Sequence, residues 1–563
     1  MTGLTRRDAG KLLGAAVAAA AVSGGSRVAS AEGGNPDLVF VNGDVITMDP
    51  QRPSATAVAV RAGKIIGVGG DAETRALAGP RAEVVDLAGR TLIPGINDSH
   101  AHAAVTGLNR PPFALGLGDP AVKSVADIVA AVRQEAGRTP DGQWIRGAGW
   151  SPGQLAENRP PNRDDLDPVS PRHPVCLQDR SYNLTAVNSV ALELAGIKGG
   201  EPGVIVDAGG RPTGLLESAA QGLVQRLLPP WGREQRKQAI QSVIADLHAE
   251  GITSFTDPGL GPGGEGLGLG TQGMESLAAY VDLARSGMLA ARVSVLFLPC
   301  SQSGGSAAEM AKALAEFSPP TGLDPRRFAV RGVKLYADHG GELTVQGKDH
   351  AARVAELTEM VRLAHAAGYQ AGTHVYRHVD TVVDAYLAAG RTHPRADPRH
   401  ILIHGAQVKP ESLTRIAENR IGLGPQPQSW HNVIDRVAGQ FGDSFLPWRS
   451  AVDAGVRLLS SSDIPVNPPN WRLGLSVLMT REGLSGKVHD ERQRLTLDQA
   501  LRTYTLTGAW QDFSEAWKGS VTPGKVADLC VLDGDLRNTP TREIPALPVA
   551  LTVFDGRIVH RRG

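Results

Sequence analysis

The chain has 563 residues, and its 58 basic and 58 acidic side chains cancel without forming a long run of either sign. That balance leaves no electrostatic footprint for a nucleic-acid partner, and 4% aromatic residues give no support to an aromatic carbohydrate-binding surface. The length accommodates a large catalytic core and at least one smaller domain, while 67 Gly and 38 Pro point to many turns and long loops.

Residues 1–31 read as a separate segment. Thr5-Arg6-Arg7-Asp8, Lys11, an apolar run over 12–22 and the ending Ala29-Ser30-Ala31 have the pattern of a twin-arginine export signal, with cleavage expected before Glu32. The apolar run is too short to span a hydrocarbon core, which needs about 20 residues. The expectation is a protein handed to the twin-arginine machinery, periplasmic or secreted, with no membrane span. Cys176, Cys300 and Cys530 are scattered on apolar stretches. They read as buried small hydrophobes rather than a disulfide framework.

Short strands are expected over 38–41, 45–47, 57–61 and 65–68, with Asn42-Gly43 and Gly63 as hairpin punctuation. About fifty residues of strand are too few to bury a core alone. Matching material stands at the other end: strands over 526–532 and 550–554, the turn Asp555-Gly556, and a return over 557–560. The two pieces, 32–90 and 511–563, combine most simply into one β-sandwich with the catalytic domain inserted between them.

Over 91–510 apolar strands alternate with amphipathic helices, the signature of parallel βα units. One helix carries Val354, Leu357, Val361 and Ala364 on one face and ends at Gly368; another carries Ile240, Val243, Ile244 and Leu247 and stops at Gly251. Eight strands are expected, over 91–96, 252–256, 293–298, 330–337, 370–373, 401–403, 422–426 and 456–461. The fold class is therefore α/β, a TIM-like (β/α)8 barrel. Residues 103–235 form an insertion after the first strand, with a helix over 125–136 capped by Ser124. It is placed to cover the substrate as a lid. The run Pro174-Val175-Cys176-Leu177 could be mistaken for a ninth barrel strand. The Gly-rich stretch 259–273 lacks the Gly-Lys-Ser/Thr of a phosphate loop and reads as a mobile loop beside the pocket.

Four of the 15 histidines stand at expected strand ends: His100 and His102 on the first strand, His374 on the fifth and His404 on the sixth. Alternate strand residues share a face, so His100 and His102 can meet one ion. Asp463 follows the eighth strand. Five metal-compatible groups on the functional face of one barrel point to a metal centre. Lys334 alternates with apolar neighbours and shares a face with Tyr336 and Asp338. A lone buried ammonium beside metal ions would be strongly unfavourable. It has two resolutions, pairing with Asp338 or carboxylation by CO2 to an anionic ligand.

The motifs 94–102, 187–192, 212–217, 251–254, 333–338, 404–407 and 462–466 together resemble the metal-dependent amidohydrolase superfamily with its composite β-sandwich. They are closest to the amidohydrolase family 3 branch that includes N-substituted formamide deformylases. The resemblance implies that His100, His102 and Asp463 bind one metal, that His374 and His404 bind a second, and that Lys334 is the carboxylated lysine bridging them. It implies an exported hydrolase of amide-like, non-peptide C–N bonds in a small-molecule substrate, using one or two divalent ions, zinc or similar. Such an ion lowers the pKa of bound water to about 7 and polarises the scissile carbonyl. Asp463 and His404 are the catalytic candidates, Asp463 as proton shuttle. Glu217, Asn183 and Asp338 are candidate substrate contacts, and a homo-oligomer is expected by analogy.

Departures from the family pattern fall on the expected substrate wall. They are Val375-Tyr376-Arg377-His378 after His374, Asn183 preceded by Tyr182 in the insertion, and His339 after Asp338. Formamide specificity therefore does not carry over. Deamination or opening of a cyclic amide would use the same site. A reading of another class is a secreted binding or regulatory protein that retains the barrel.

Overall fold

Eight parallel strands lie side by side in chain order: Ile96–Asp98, Ile252–Leu260, Arg292–Phe297, Phe328–Tyr336, Gln370–Val375, Ile401–His404, Gly422–Gly424 and Arg457–Leu458. This computed structural model describes residues 37–563 apart from 78–79, 119, 265–271, 302–303 and 442–444. The expected export signal, 1–31, lies outside the described residues, as does 265–271 of the Gly-rich stretch. Ile252–Leu260 and Arg292–Phe297 are buried at every position, as a parallel sheet covered by helices requires. Helices Arg233–Ala249, Met274–Arg285, His350–Ala366 and Val379–Thr392 supply the covering faces. The fold is a curled α/β sheet of the TIM-like kind.

Ladder pairing joins each strand to the next but not the eighth to the first. Other bonds join those two strand ends. The Ser99 N–H donates to the Ser460 carbonyl (3.4 Å), the Asp463 N–H to the His100 carbonyl (2.9 Å) and the His102 N–H to the Ile464 carbonyl (3.0 Å). Buried Asp98 accepts from the Ser462 hydroxyl at 2.5 Å and the Ser462 N–H at 3.0 Å.

The first expected strand, 91–96, is two strands. Thr91–Pro94 pairs with Asp44–Ile46 and Leu529–Leu532 in a different sheet, and only Ile96–Asp98 enters the barrel. Gly95 is the joint. Its N–H donates to the Asp528 carbonyl (2.8 Å), and a Cβ there would lie 2.3 Å from Thr253 Oγ1. The Asn42-Gly43 hairpin is also corrected: Leu38–Val41 pairs with Ala57–Arg61 and Glu83–Asp86, while Asp44–Ile46 joins the other sheet. Asn42 takes a left-handed φ of 56° to turn the chain between the two.

Those two sheets have four and six strands, and the larger draws Leu529–Leu532, Val549–Phe554 and Arg557–Arg561 from the C-terminal end. Leu38, Phe40, Val58 and Val60 of one share a core with Val45, Leu92, Leu529, Val531 and Val553 of the other. Between the first and second barrel strands lies a separate six-stranded sheet. Its spatial order is Val204–Val206, Pro212–Glu217, Leu184–Val187, Val175–Asp179, Ile145–Trp150, Leu115–Gly116. The Val175 run thus belongs to the insertion. Helix Val125–Ala136 starts as expected, the Ser124 hydroxyl accepting the Asp127 N–H at 3.1 Å. No helix among the described residues is long and apolar enough to cross a membrane.

Candidate active site

All strands of a parallel barrel end on the same face. Lys334, on Phe328–Tyr336, is followed two residues later by Tyr336, which pairs in register with His374; Val375 pairs with His404, the last residue of its strand. His100 and His102 are not strand residues. The strand stops at Asp98, and both imidazoles are delivered by the turn that follows, His102 capping the short helix Ala103–Leu108. They still converge: their rings meet edge to face at 4.9 Å, and their Nε2 atoms lie 3.4 and 3.3 Å from Asp463 Oδ1.

A second pair faces this trio. His404 Nε2 lies 2.9 Å from His374 Nδ1, and the His100 and His404 rings are 5.8 Å apart. The His404 ring stacks on Tyr376 at 4.8 Å with 11° between planes, and Tyr336 and Tyr376 each lie 5.1 Å from His374. His404 and Asp463 both hold left-handed backbone, φ 67° and 58°. Non-glycine residues in that region cost about 1–3 kcal/mol each and cluster at functional sites.

Burial is the first cause of the imidazoles' electrostatics. It drives His100 and His374 well below the ordinary histidine value, with Lys334 and neighbouring imidazoles adding to the shift, and His404 down to about 4. These three rings are neutral at pH 7, so each keeps one ring-nitrogen lone pair. Burial alone would raise the Asp463 carboxyl, but the His102 hydrogen bond, the charge His404 takes on in the same acid range and the Lys334 ammonium hold it below the usual range. Lys334 is 2% exposed, and burial pushes its ammonium down to about 7 against the pull of Asp463. Its nitrogen sits 4.9 Å from the Tyr336 ring centre and makes no ion pair among the described residues.

Asp338 is not its partner. Fully buried, that carboxylate accepts from the N–H groups of Gly340 (2.7 Å), Tyr376 (3.1 Å), Arg377 (3.2 Å) and His378 (3.1 Å). It clamps the turn after His374. Asn183 and Glu217 are exposed on the insertion sheet, where Leu184 pairs with Glu217. The Asn183 amide donates to Ser181 Oγ at 3.1 Å, and no contact joins either residue to the histidine–aspartate group. Within the insertion, Asn109, at the end of the helix that follows His102, donates its amide to the buried Tyr182 hydroxyl at 3.1 Å.

The donor set fits a divalent cation. His100, His102 and Asp463 offer ligand atoms all within 4.8 Å of one another, and the buried His102 Nδ1 and His374 Nε2 have no hydrogen-bond partner. The sequence reading gave no role to Asp98, Ser462 or Gln426, whereas Tyr336 was already placed beside Lys334 and Tyr376 on the expected substrate wall. The signal for the first three was position: each lies at or just past the end of a barrel strand. The thiols of Cys176, Cys300 and Cys530 are buried and pushed up to about 12, as inert residues should be.

The profile of the amidohydrolase family matches residues 83–560. N-substituted formamide deformylase of Arthrobacter pascens is 28% identical over 557 residues, covering 93% of this chain and 98% of that one. Among solved structures, an uncharacterized metal-dependent hydrolase from Pyrococcus horikoshii OT3 superposes with a TM-score of 0.68 at 20% identity, covering 90% of this chain and 99% of that one. Atrazine chlorohydrolase TrzN from Arthrobacter aurescens TC1, solved with zinc, gives 0.52 at 13% identity over 93% and 95% of the two chains. With four histidines, an aspartate and a buried lysine gathered at the ends of its barrel strands, the chain belongs to the amidohydrolase family and is a metal-dependent hydrolase acting on carbon–nitrogen bonds.

Proposed function

We propose that the protein hydrolyses a non-peptide, amide-like C–N bond of a small molecule, after export through the twin-arginine route to the periplasm or beyond. The observation that carries this reading is the convergence of His100, His102 and Asp463 around one point, with neutral His374 and His404 facing them. His100, His102 and Asp463 would hold one ion and His374 and His404 a second, with zinc suited to this nitrogen and oxygen donor set. A bound divalent ion polarises the scissile carbonyl and brings the pKa of water near neutrality. The chain's own residues do the rest. Asp463, deprotonated at neutral pH, takes the proton of the attacking water at a carboxylate oxygen and returns it to the leaving nitrogen. Tyr336 and Tyr376 wall the pocket beside His374.

Lys334 is read as the carboxylated bridge: its neutral amine adds to CO2, forming an N–C bond and releasing one proton. Support comes from its burial without an ion-pair partner and from the commitment of Asp338 to backbone N–H groups. The two sheets with a shared core are read as the family's composite sandwich, and the insertion as a substrate lid.

The test is amine release from a panel of N-substituted formamides and other small amides by zinc-loaded protein. Asp463→Asn should lower turnover at least about 10³-fold, the general acid–base contribution being about 10²–10⁴-fold with the lost metal ligand added. Full turnover by that variant, or by protein stripped of metal, would overturn the reading.

A further inference from the structure

Gln426 lies two residues beyond the seventh barrel strand, Gly422–Gly424, and is 4% exposed. Its side-chain nitrogen lies 3.1 Å from the Gly424 carbonyl oxygen and 3.1 Å from Ser461 Oγ, and its oxygen lies 2.5 Å from His404 Nδ1. A carbonyl oxygen only accepts, so the amide end facing Gly424 is the NH2 group, and the end facing His404 is the oxygen. That oxygen also only accepts. His404 Nδ1 must therefore carry the ring proton, and Nε2 the lone pair. With His404 Nε2 as acceptor, His374 Nδ1–H is the donor of their 2.9 Å contact, which leaves the lone pair of the His374 ring on Nε2, a buried atom without a hydrogen-bond partner.

We infer that Gln426 is a positioning residue that fixes the tautomer of His404, so that Nε2 presents its lone pair to the metal pocket. An imidazole needs this constraint because its two neutral tautomers are close in energy, and a free ring would present a proton to the cation part of the time. The strand places Gln426 for this role: its donors are satisfied by the strand's own Gly424 carbonyl and by Ser461 next to the eighth strand, which leaves the oxygen no alternative direction. Tyr376, stacked on the other side, keeps the ring from rotating. Partners that orient a metal-bound histidine in this way typically contribute 10–100-fold in metal affinity.

The inference rests on the metal-centre reading, and two measurements separate their failures. The first uses apo protein with 15N-labelled histidine, in which long-range 15N–1H correlations distinguish the tautomers; His404→Asn identifies the His404 signals. The expected pattern is Nδ1–H in the parent and in Gln426→Glu, which still accepts, and its loss in Gln426→Leu, which cannot. An Nε2–H pattern for His404 in the parent overturns the inference, whether or not any variant folds. The second is Zn2+ affinity by chelator competition: Gln426→Leu should bind about 10–100-fold more weakly than the parent, and Gln426→Glu at least as tightly. Equal affinity of Gln426→Leu and the parent, or a matching loss in Gln426→Glu, also overturns it. If the parent takes up no Zn2+, the metal-centre reading fails and the tautomer pattern alone decides the role of Gln426.

Discussion

Removal of the Ser462 hydroxyl probes how the open edge of the barrel holds the active site together. No ladder pairs the first strand with the eighth, so Asp98 and Ser462 carry much of the join, and both are 2% exposed. Ser462→Ala deletes a 2.5 Å hydrogen bond to a buried carboxylate, a kind that contributes about 1.5–3 kcal/mol. It also strands the buried Ile464 N–H, which donates to Ser462 Oγ at 3.1 Å; an unsatisfied amide costs a further 1–3 kcal/mol, roughly. The Ser462 N–H bond to Asp98 survives, so a loss of about 3 kcal/mol or more is expected, toward the low end of those ranges combined. Urea denaturation of the metal-free protein, followed by tryptophan fluorescence, reads it directly. Asp463 is the next residue, and a misplacement of about 1 Å at a reacting group costs about 10²-fold in rate, so turnover should fall as well. A stability change under about 1 kcal/mol, the size of an ordinary surface substitution or little more, would refute the claim that this latch closes the barrel.

Gly95→Ala should destabilise by about 1–3 kcal/mol, because its Cβ would meet Thr253 Oγ1 at 2.3 Å and the Asp528 carbonyl carbon at 3.1 Å; an unchanged urea midpoint would contradict the joint between Thr91–Pro94 of the six-stranded sheet and Ile96–Asp98 of the barrel. His400 tests pH dependence away from the metal residues. It accepts the Ala371 N–H at Nδ1 and contacts His365 Nδ1 at 2.8 Å through Nε2, and burial holds its pKa down to about 3. Between that value and the unfolded histidine value of about 6.5 only the unfolded chain binds the proton, so stability falls as pH drops, by about 2 kcal/mol from pH 6.5 to 4.5. His400→Gln should flatten the urea-derived stability profile by that amount; parallel profiles would contradict the buried neutral imidazole.

Much of this architecture was legible in the sequence because burial on both faces writes parallel strands as apolar runs. The strands around His374 and His404 appeared at their expected positions for that reason. The same signal failed at 91–96, since an apolar run does not record that its two halves belong to different sheets; only Pro94-Gly95 marked the break. The two histidines after Asp98 were placed in the site for a partly wrong reason, the pleat of a strand, whereas a turn held by Asp98 brings them together. Pairing with Asp338 was one of two alternatives left open for Lys334 by their spacing, which could not reveal four backbone N–H groups competing for the same carboxylate. Gln426 was invisible because its role depends on which end of an amide faces a carbonyl, a fact of three dimensions.

The most direct test is the metal content per chain of the purified protein, expressed with bicarbonate, beside Lys334→Ala. Elemental analysis should give two divalent ions in the parent and fewer in the variant. One ion or none in the parent, unchanged on removal of Lys334, would contradict the bridged metal centre on which the proposed chemistry rests.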